Sequence, residues 1–490
     1  MSARLARDTA VFFATRIAIL LLSLGLTVAI AWKLGGAGLG GYGLMIALGY
    51  VFQSASALGL VHLFPREVGR RPDATRSLFA AALALAVPAA VVFALGLAAL
   101  ARALGYPPEL TRALDLMAIS LVPGGFSQIA EALFVARGRA DRAARLTAIE
   151  NVLRCGASLV ALLAGGGLVA LAWMFLLARI AGTATAAAML DRQLLGDSRL
   201  ALRPALRDLT RRLPTFAALY ALAMVYLKAD MVLLSVLRDQ AEVGVYSAAY
   251  RLLEVASLLP ATAASIVYPA FARLREEDPA KLADLATRAL TMLYVATLPI
   301  LLALSLGAEG IVRLLYPNAA FHGTVWVLRI LPWTLIPYAA DVVLGHVMLA
   351  AERQRDDLRF VALGIGASVA SNLALVPALG ATGAALANVV ASLVMASLHV
   401  RYVHREIFPV RLDASLARAV PAVLAAGIFL ARFGARNPLW VLPVGLALYG
   451  VVAALTGAIR PELVRSVLSE RGTSKRLPRE PAVDVPGAEV

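Results

Sequence analysis

The sequence predicts an all-α integral membrane protein with two parallel six-helix repeats around a central cleft, and three observations carry that expectation. Of 490 residues, 60% are hydrophobic and 16% charged, with a mean hydropathy of +0.79, while soluble domains carry about 25% charged residues. The apolar residues gather in fourteen windows of the length that crosses about 30 Å of hydrocarbon. Lysine and arginine crowd the alternate connections, 30 on one side against 5 on the other. By the positive-inside rule the basic side is cytoplasmic, and both termini lie there. The net charge of +15 is then largely a matter of topology, and a nucleic-acid partner loses its main support.

The windows fall at about 11–33, 42–64, 78–101, 113–136, 146–164 and 168–190, then at about 213–237, 245–272, 285–306, 324–350, 360–378, 381–402, 414–432 and 439–458. The basic start MSARLAR resembles a signal peptide. No small-residue cleavage site follows and the apolar run continues to Ala31, so an uncleaved first span is expected. This divides the chain into an N-terminal six-helix lobe (1–190), a cytoplasmic basic linker (191–212), a C-terminal six-helix lobe (213–402), accessory helices 13 and 14 (414–458) and a polar cytoplasmic tail (459–490).

The two lobes look alike. LGGAGLGGYGLMIALG matches RDQAEVGVYSAAYRLLE, with Gly40 over Gly244 and Tyr42 over Tyr246. Further on, ARGRADRAARL matches AERQRDDLRFV, and the LAG ending at Gly165 matches the ALG ending at Gly380. Six spans per repeat bring both repeats into the membrane from the same side, so the axis relating them lies along the membrane normal. Transporters of that kind hold substrate between the halves and rock them for alternating access.

Several chemistries are absent from the pattern. Cys155 is the single cysteine, sits in an apolar window and reads as buried and inert. The five histidines are scattered without ligand spacing, so no metal is expected. None of the four lysines follows a glycine, so there is no Walker A loop; the glycines of 35–43 read as a tight external turn. The outside loops are too short for a glycosyltransferase or polymerase site, and neither an enzyme nor a cofactor is expected.

WKLGGAGLGGYGLMIALGYVFQSASALGLVHLFPREVGRR resembles the opening of the polysaccharide flippases, the O-antigen and exopolysaccharide branch of the multidrug/oligosaccharidyl-lipid/polysaccharide (MOP) exporter superfamily. The resemblance continues through EALFVARGRADRAARLTAIENVLR, YLKADMVLLSVLRDQAEVGVYSAAYRLLE and SNLALVPALGATGAALANVVASL, and covers most of 1–402. It implies a flippase that moves a polyprenyl-diphosphate-linked oligosaccharide, such as a lipopolysaccharide O-antigen unit, from the inner to the outer leaflet of the bacterial inner membrane. Its partners would be that glycan, membrane lipids, H⁺ or Na⁺ as a coupling ion, and a polysaccharide polymerase or other assembly proteins. A lipid II or multidrug exporter of the same superfamily is the alternative.

A diphosphate needs charge-assisted donors, so the cations inside spans are the candidate substrate ligands: Arg16, Arg154, Arg179, Lys228, Arg251 and Arg329. Arg16 and Arg329 lie near span ends and read equally well as snorkelling to headgroups. Arg179 and Lys228 lie near mid-span, where an ionisable group costs about 2.5–3.5 kcal/mol and is kept chiefly for a wet cavity or a partner. Among the span carboxylates Glu131, Glu150, Asp230, Glu254 and Asp341, the candidates for ion coupling are Asp230, Glu254 and Asp341. Glu254 follows Arg251 by three residues, so an intrahelical ion pair competes with a coupling role. Asp230 points about 200° around the helix from Lys228, so those two do not pair directly.

Overall fold

The computed structural model describes residues 3–196 and 200–459, and it is helical throughout with no strand among them. The helices are α1 (Ala3–Ser56), α2 (Leu60–Arg70), α3 (Thr75–Ala103), α4 (Pro108–Ala136), α5 (Ala140–Leu163), α6 (Leu168–Ala188), α7 (Arg192–Leu195), α8 (Leu202–Leu237) and α9 (Gln240–Glu277). They continue with α10 (Pro279–Leu306), α11 (Ala308–Leu315), α12 (Thr324–Ile330), α13 (Leu335–Ala350), α14 (Gln354–Glu406), α15 (Ser415–Arg418), α16 (Val420–Phe433) and α17 (Pro438–Leu455).

Eleven stretches among the described residues are long and apolar enough to cross a membrane. Two of them, Ala18–Arg70 and Gln354–Glu406, have 53 residues, which as straight helix would run about 80 Å, more than twice the hydrocarbon thickness. Gln354–Glu406 is broken at Gly380, which takes φ 56° in the left-handed region, and Ala18–Arg70 at Gly35, φ 68°, and again at Leu58 and Gly59, φ 52° and 70°, between α1 and α2. Reading each as two crossings, and α8 as one more, is consistent with fourteen. Gly165, matched to Gly380 in the sequence, also takes a positive φ, 84°, and there it separates α5 from α6. The second repeat thus writes as one broken helix what the first writes as two.

Two expectations change in detail. The turn expected over 35–43 narrows to the single kink at Gly35, because helix resumes at Gly36 and packs on α9. The basic linker expected over 191–212 is mostly helix: α7, then the first three turns of α8. Leu202, Ala205, Leu206, Leu209 and Leu213 recur at helical spacing there and pack into an apolar cluster with α2, α3 and α4. Ion pairs hold this docking: buried Glu67 meets Arg71 at 3.2 Å and Arg212 at 2.8 Å, and Arg71 reaches Asp208 at 2.6 Å. The tail from 460 on lies outside the described residues.

The apolar clusters describe how the halves meet. At the end of the bundle with few basic residues, one cluster draws on both halves, with Leu39, Leu44, Leu114, Leu171, Val243, Tyr246, Tyr316 and Phe321 among its members. Trp32 Nε1 donates to the Leu315 carbonyl at 2.7 Å across the same region. At the basic end the cores separate into the cluster around α2–α4 and another built from α9, α10, α13 and α14. The halves are therefore sealed together at one end and hold independent cores at the other. Large apolar side chains such as Val92, Val160, Leu163, Ile428 and Leu455 stand exposed on the outside, as lipid contact requires.

Candidate functional site

The seal depends on a close crossing of α1 and α9. A side-chain carbon at Gly40 would stand 1.9 Å from the Gln240 carbonyl oxygen, and one at Gly244 would stand 2.0 Å from the Gly36 carbonyl oxygen. These are one contact made twice, since 36 is to 240 as 40 is to 244, the offset of the sequence match. Glycine is required here because only a residue without Cβ lets the two backbones touch.

Just inside the seal lies a cavity with about 710 Å³ of empty space, lined by α1, α5, α8 and α9. Its charged lining is Arg154, Lys228, Arg251 and Glu254, an excess of two positive charges. Lys228 Nζ donates to Glu254 Oε1 at 2.8 Å, and Arg251 Nη1 to Glu254 Oε2 at 2.5 Å. The intrahelical pair expected between Arg251 and Glu254 is present, and Lys228 of the neighbouring helix shares the same carboxylate. Lys228 also stands 4.5 Å from the centroid of the Tyr250 ring, whose face favours a cation. Arg154 donates to Asn151 Oδ1 at 2.8 Å, and among the described residues no carboxylate lies within ion-pair distance of it.

Asp230 turns away from Lys228, as its spacing requires. It is 2% exposed and accepts from the Met231 amide at 2.8 Å, from Asn388 Nδ2 at 2.7 Å and from the Tyr246 hydroxyl. This joins α8, α9 and α14 around one carboxylate. Asp341 stands elsewhere, 2.7 Å from Nδ1 of buried His399, whose Nε2 lies 2.9 Å from Asp357.

A second cavity of about 660 Å³ opens between α1, α4, α5 and α6 and meets the first at Tyr50, Asn151 and Arg154. Arg179 belongs here, paired with Glu150 at 2.7 Å. The guanidiniums of Arg179 and Arg154 lie 5.4 and 5.7 Å from the Phe175 ring centroid. Arg329 joins neither cavity. It is 42% exposed, lies over Trp326 at 4.8 Å and sits 3.9 Å from Glu309, so the cationic cleft does not include it. The Arg16 side chain lies outside the described residues.

The model of a family described as "Polysaccharide biosynthesis protein" matches residues 18–320, well over half of the chain. The chain belongs to this family. The match places it in the MOP exporter superfamily, and a second model, "Lipid II flippase MurJ", matches residues 230–449. Among solved structures, Lipid II flippase MurJ in an inward closed conformation superposes with a TM-score of 0.74 at 15% identity, covering 94% of this chain and 100% of that one. A multidrug resistance MATE family transporter in an inward-facing conformation gives 0.63 at 16% identity, over 80% of this chain and 94% of that one. A MOP superfamily transporter from Pyrococcus furiosus gives 0.62 at 15% identity, over 81% and 95%. No curated protein sequence matches at a significant level. This family member is thus a multi-pass membrane protein with the fold of flippases and exporters.

Sequence reasoning missed Asn388, His399 and Asn151 as members of these clusters. Asn388 lies 158 positions from Asp230 and carries no local signal. Tyr246 and Tyr250 had one: they sit four apart on α9, and Tyr250 adjoins Arg251.

Proposed function

We propose that this protein is a flippase that carries a polyprenyl-diphosphate-linked oligosaccharide from the inner to the outer leaflet of the bacterial inner membrane by alternating access. The observation that carries the reading is the central cavity. It lies between the two halves, is closed at one end by their shared core, and holds two uncompensated positive charges. A diphosphate diester bears about two negative charges, and Arg and Lys donors already bent towards one carboxylate bind it with little reorganisation. The membership in a polysaccharide biosynthesis family supports the glycan as cargo.

With the basic end cytoplasmic, both termini are cytoplasmic and the cavity faces away from the outer leaflet. An inside-negative potential then favours outward movement by about 2.3 kcal/mol per charge per 100 mV. H⁺ or Na⁺ exchange at Asp230 adds to this, since the carboxylate joins three helices from both ends of the second half. Asp341 is the second coupling candidate, and Glu254 serves as the internal counter-ion that the diphosphate displaces.

Lipid II is the second reading, favoured by the match of residues 230–449 to the MurJ model. Depletion of the protein followed by analysis of inner-leaflet lipid-linked glycans separates the two. Accumulation of a surface-polysaccharide intermediate with an intact cell wall is expected. Accumulation of lipid II with normal surface polysaccharide would refute the first reading in favour of the second.

A further inference from the structure

The second cavity is made for a different chemistry from the first. With the shared Arg154 counted in each, its charges cancel, Arg154 and Arg179 against Glu131 and Glu150, whereas the central cavity has an excess of two cations. The remaining lining is rich in amides and hydroxyls, including Gln53, Gln128 and Thr147. Polar groups in the interior of a membrane bundle are costly unless bonded. Yet Gln53 Oε1 and Gln128 Oε1, both acceptors, and the Arg179 Nε donor are shielded from solvent without a hydrogen-bond partner. Gln53 as a whole is 4% exposed.

Unmet acceptors beside an unmet donor, in a cavity of balanced charge, fit a ligand that both gives and takes hydrogen bonds. A neutral polyol does so. An anion does not, because the two carboxylates cancel what the two guanidiniums offer. Tyr50, 47% exposed, presents an aromatic ring where the two cavities meet.

We infer that the cavity between α1, α4, α5 and α6 is a glycan subsite, holding the sugar nearest the lipid while the central cavity holds the diphosphate. The inference rests on the flippase reading and adds to it where the sugar is read. The two cavities share Tyr50, Asn151 and Arg154, so one headgroup spans both. Selection of cargo then falls to the first half of the chain, and retention of the charge to the second half together with Arg154.

The test uses the purified full chain in nanodiscs and two probes: bare undecaprenyl diphosphate, and the lipid-linked oligosaccharide fraction extracted from the host's own membranes. Wild type is expected to bind the glycan-bearing lipid about tenfold more tightly than the bare lipid, the worth of one or two net hydrogen bonds. Gln128→Leu/Thr147→Val is expected to bring that ratio close to one by weakening only the glycan-bearing lipid. Lys228→Met is expected to weaken both probes. Gln128→Leu alone, whose lost oxygen has no protein partner, serves where the double variant does not fold. Equal wild-type affinity for the two probes overturns the subsite, as does an unchanged ratio in the variants or an equal loss for both probes. If wild type binds neither probe, the flippase reading falls, and the subsite falls with it.

Discussion

Lys228 is the residue whose two roles separate most cleanly, because its partner can be neutralised with it. Its ammonium lies 2.8 Å from Glu254, with the side chains 13% and 29% exposed. Removing one member of a fully buried pair costs about 3–5 kcal/mol, and of a surface pair about 1 kcal/mol or less. Glu254 keeps Arg251 at 2.5 Å when Lys228 is lost, so Lys228→Met is expected to cost about 2 kcal/mol of stability. Glu254→Gln strips two cations of their shared counter-ion and is expected to cost about 3 kcal/mol. The double variant is expected to cost about 2 kcal/mol, well short of the sum, because the two sites are coupled.

Export behaves differently under the two roles. If Lys228 only balances Glu254, neutralising both restores transport. If Lys228 binds the diphosphate, the double variant stays inactive although it folds better than Glu254→Gln. The assay is surface polysaccharide in cells that rely on the variant, at matched protein level, with melting of the purified chain alongside. Near-normal export by Lys228→Met/Glu254→Gln would refute the substrate role.

Three further outcomes are expected. Gly40→Ala and Gly244→Ala each place a carbon within about 2 Å of a carbonyl oxygen, so the α1–α9 crossing must open at a cost of about 1–3 kcal/mol. A reporter cysteine at Leu39, on a Cys155→Ala background, should then become accessible to an impermeant maleimide, and an unchanged labelling rate would count against the seal. His399→Leu removes the imidazole between Asp341 and Asp357 and should lower stability by about 3 kcal/mol, with Asp341→Asn in the same chain recovering part; no recovery in denaturation of the double variant would contradict the pairing. Glu67→Gln removes the carboxylate between Arg71 and Arg212, and trypsin should cleave faster at exposed Arg207 and Arg211 as the start of α8 lifts from α2; an unaltered cleavage rate would show that the apolar face alone holds it.

Class and the relation of the halves were determined by the sequence alone, because each is a local or periodic property. A run of apolar residues sets a crossing, the side on which arginine collects sets the sidedness expected, and the matched glycines mark equivalent backbone positions. Gly40 and Gly244 meet at one crossing, and Gly165 and Gly380 share a positive φ, because a repeat reproduces backbone geometry more faithfully than side chains. Local spacing also oriented the Arg251–Glu254 pair and turned Asp230 away from Lys228, since three residues or two on a helix fix an angle.

Which charge faces which helix was decided only by tertiary structure. Lys228 and Glu254 are 26 positions apart, Asp230 and Asn388 158, and Arg179 and Glu150 lie on different helices. Such distances depend on how far each helix is rotated about its axis, and a rotation of one residue, about 100°, carries a side chain from cavity to lipid. For the same reason Arg329, like Arg154 inside an apolar window, stands outside the cleft that Arg154 lines. The division into a charged cavity and a balanced one rests on those rotations, and no spacing in the chain records it.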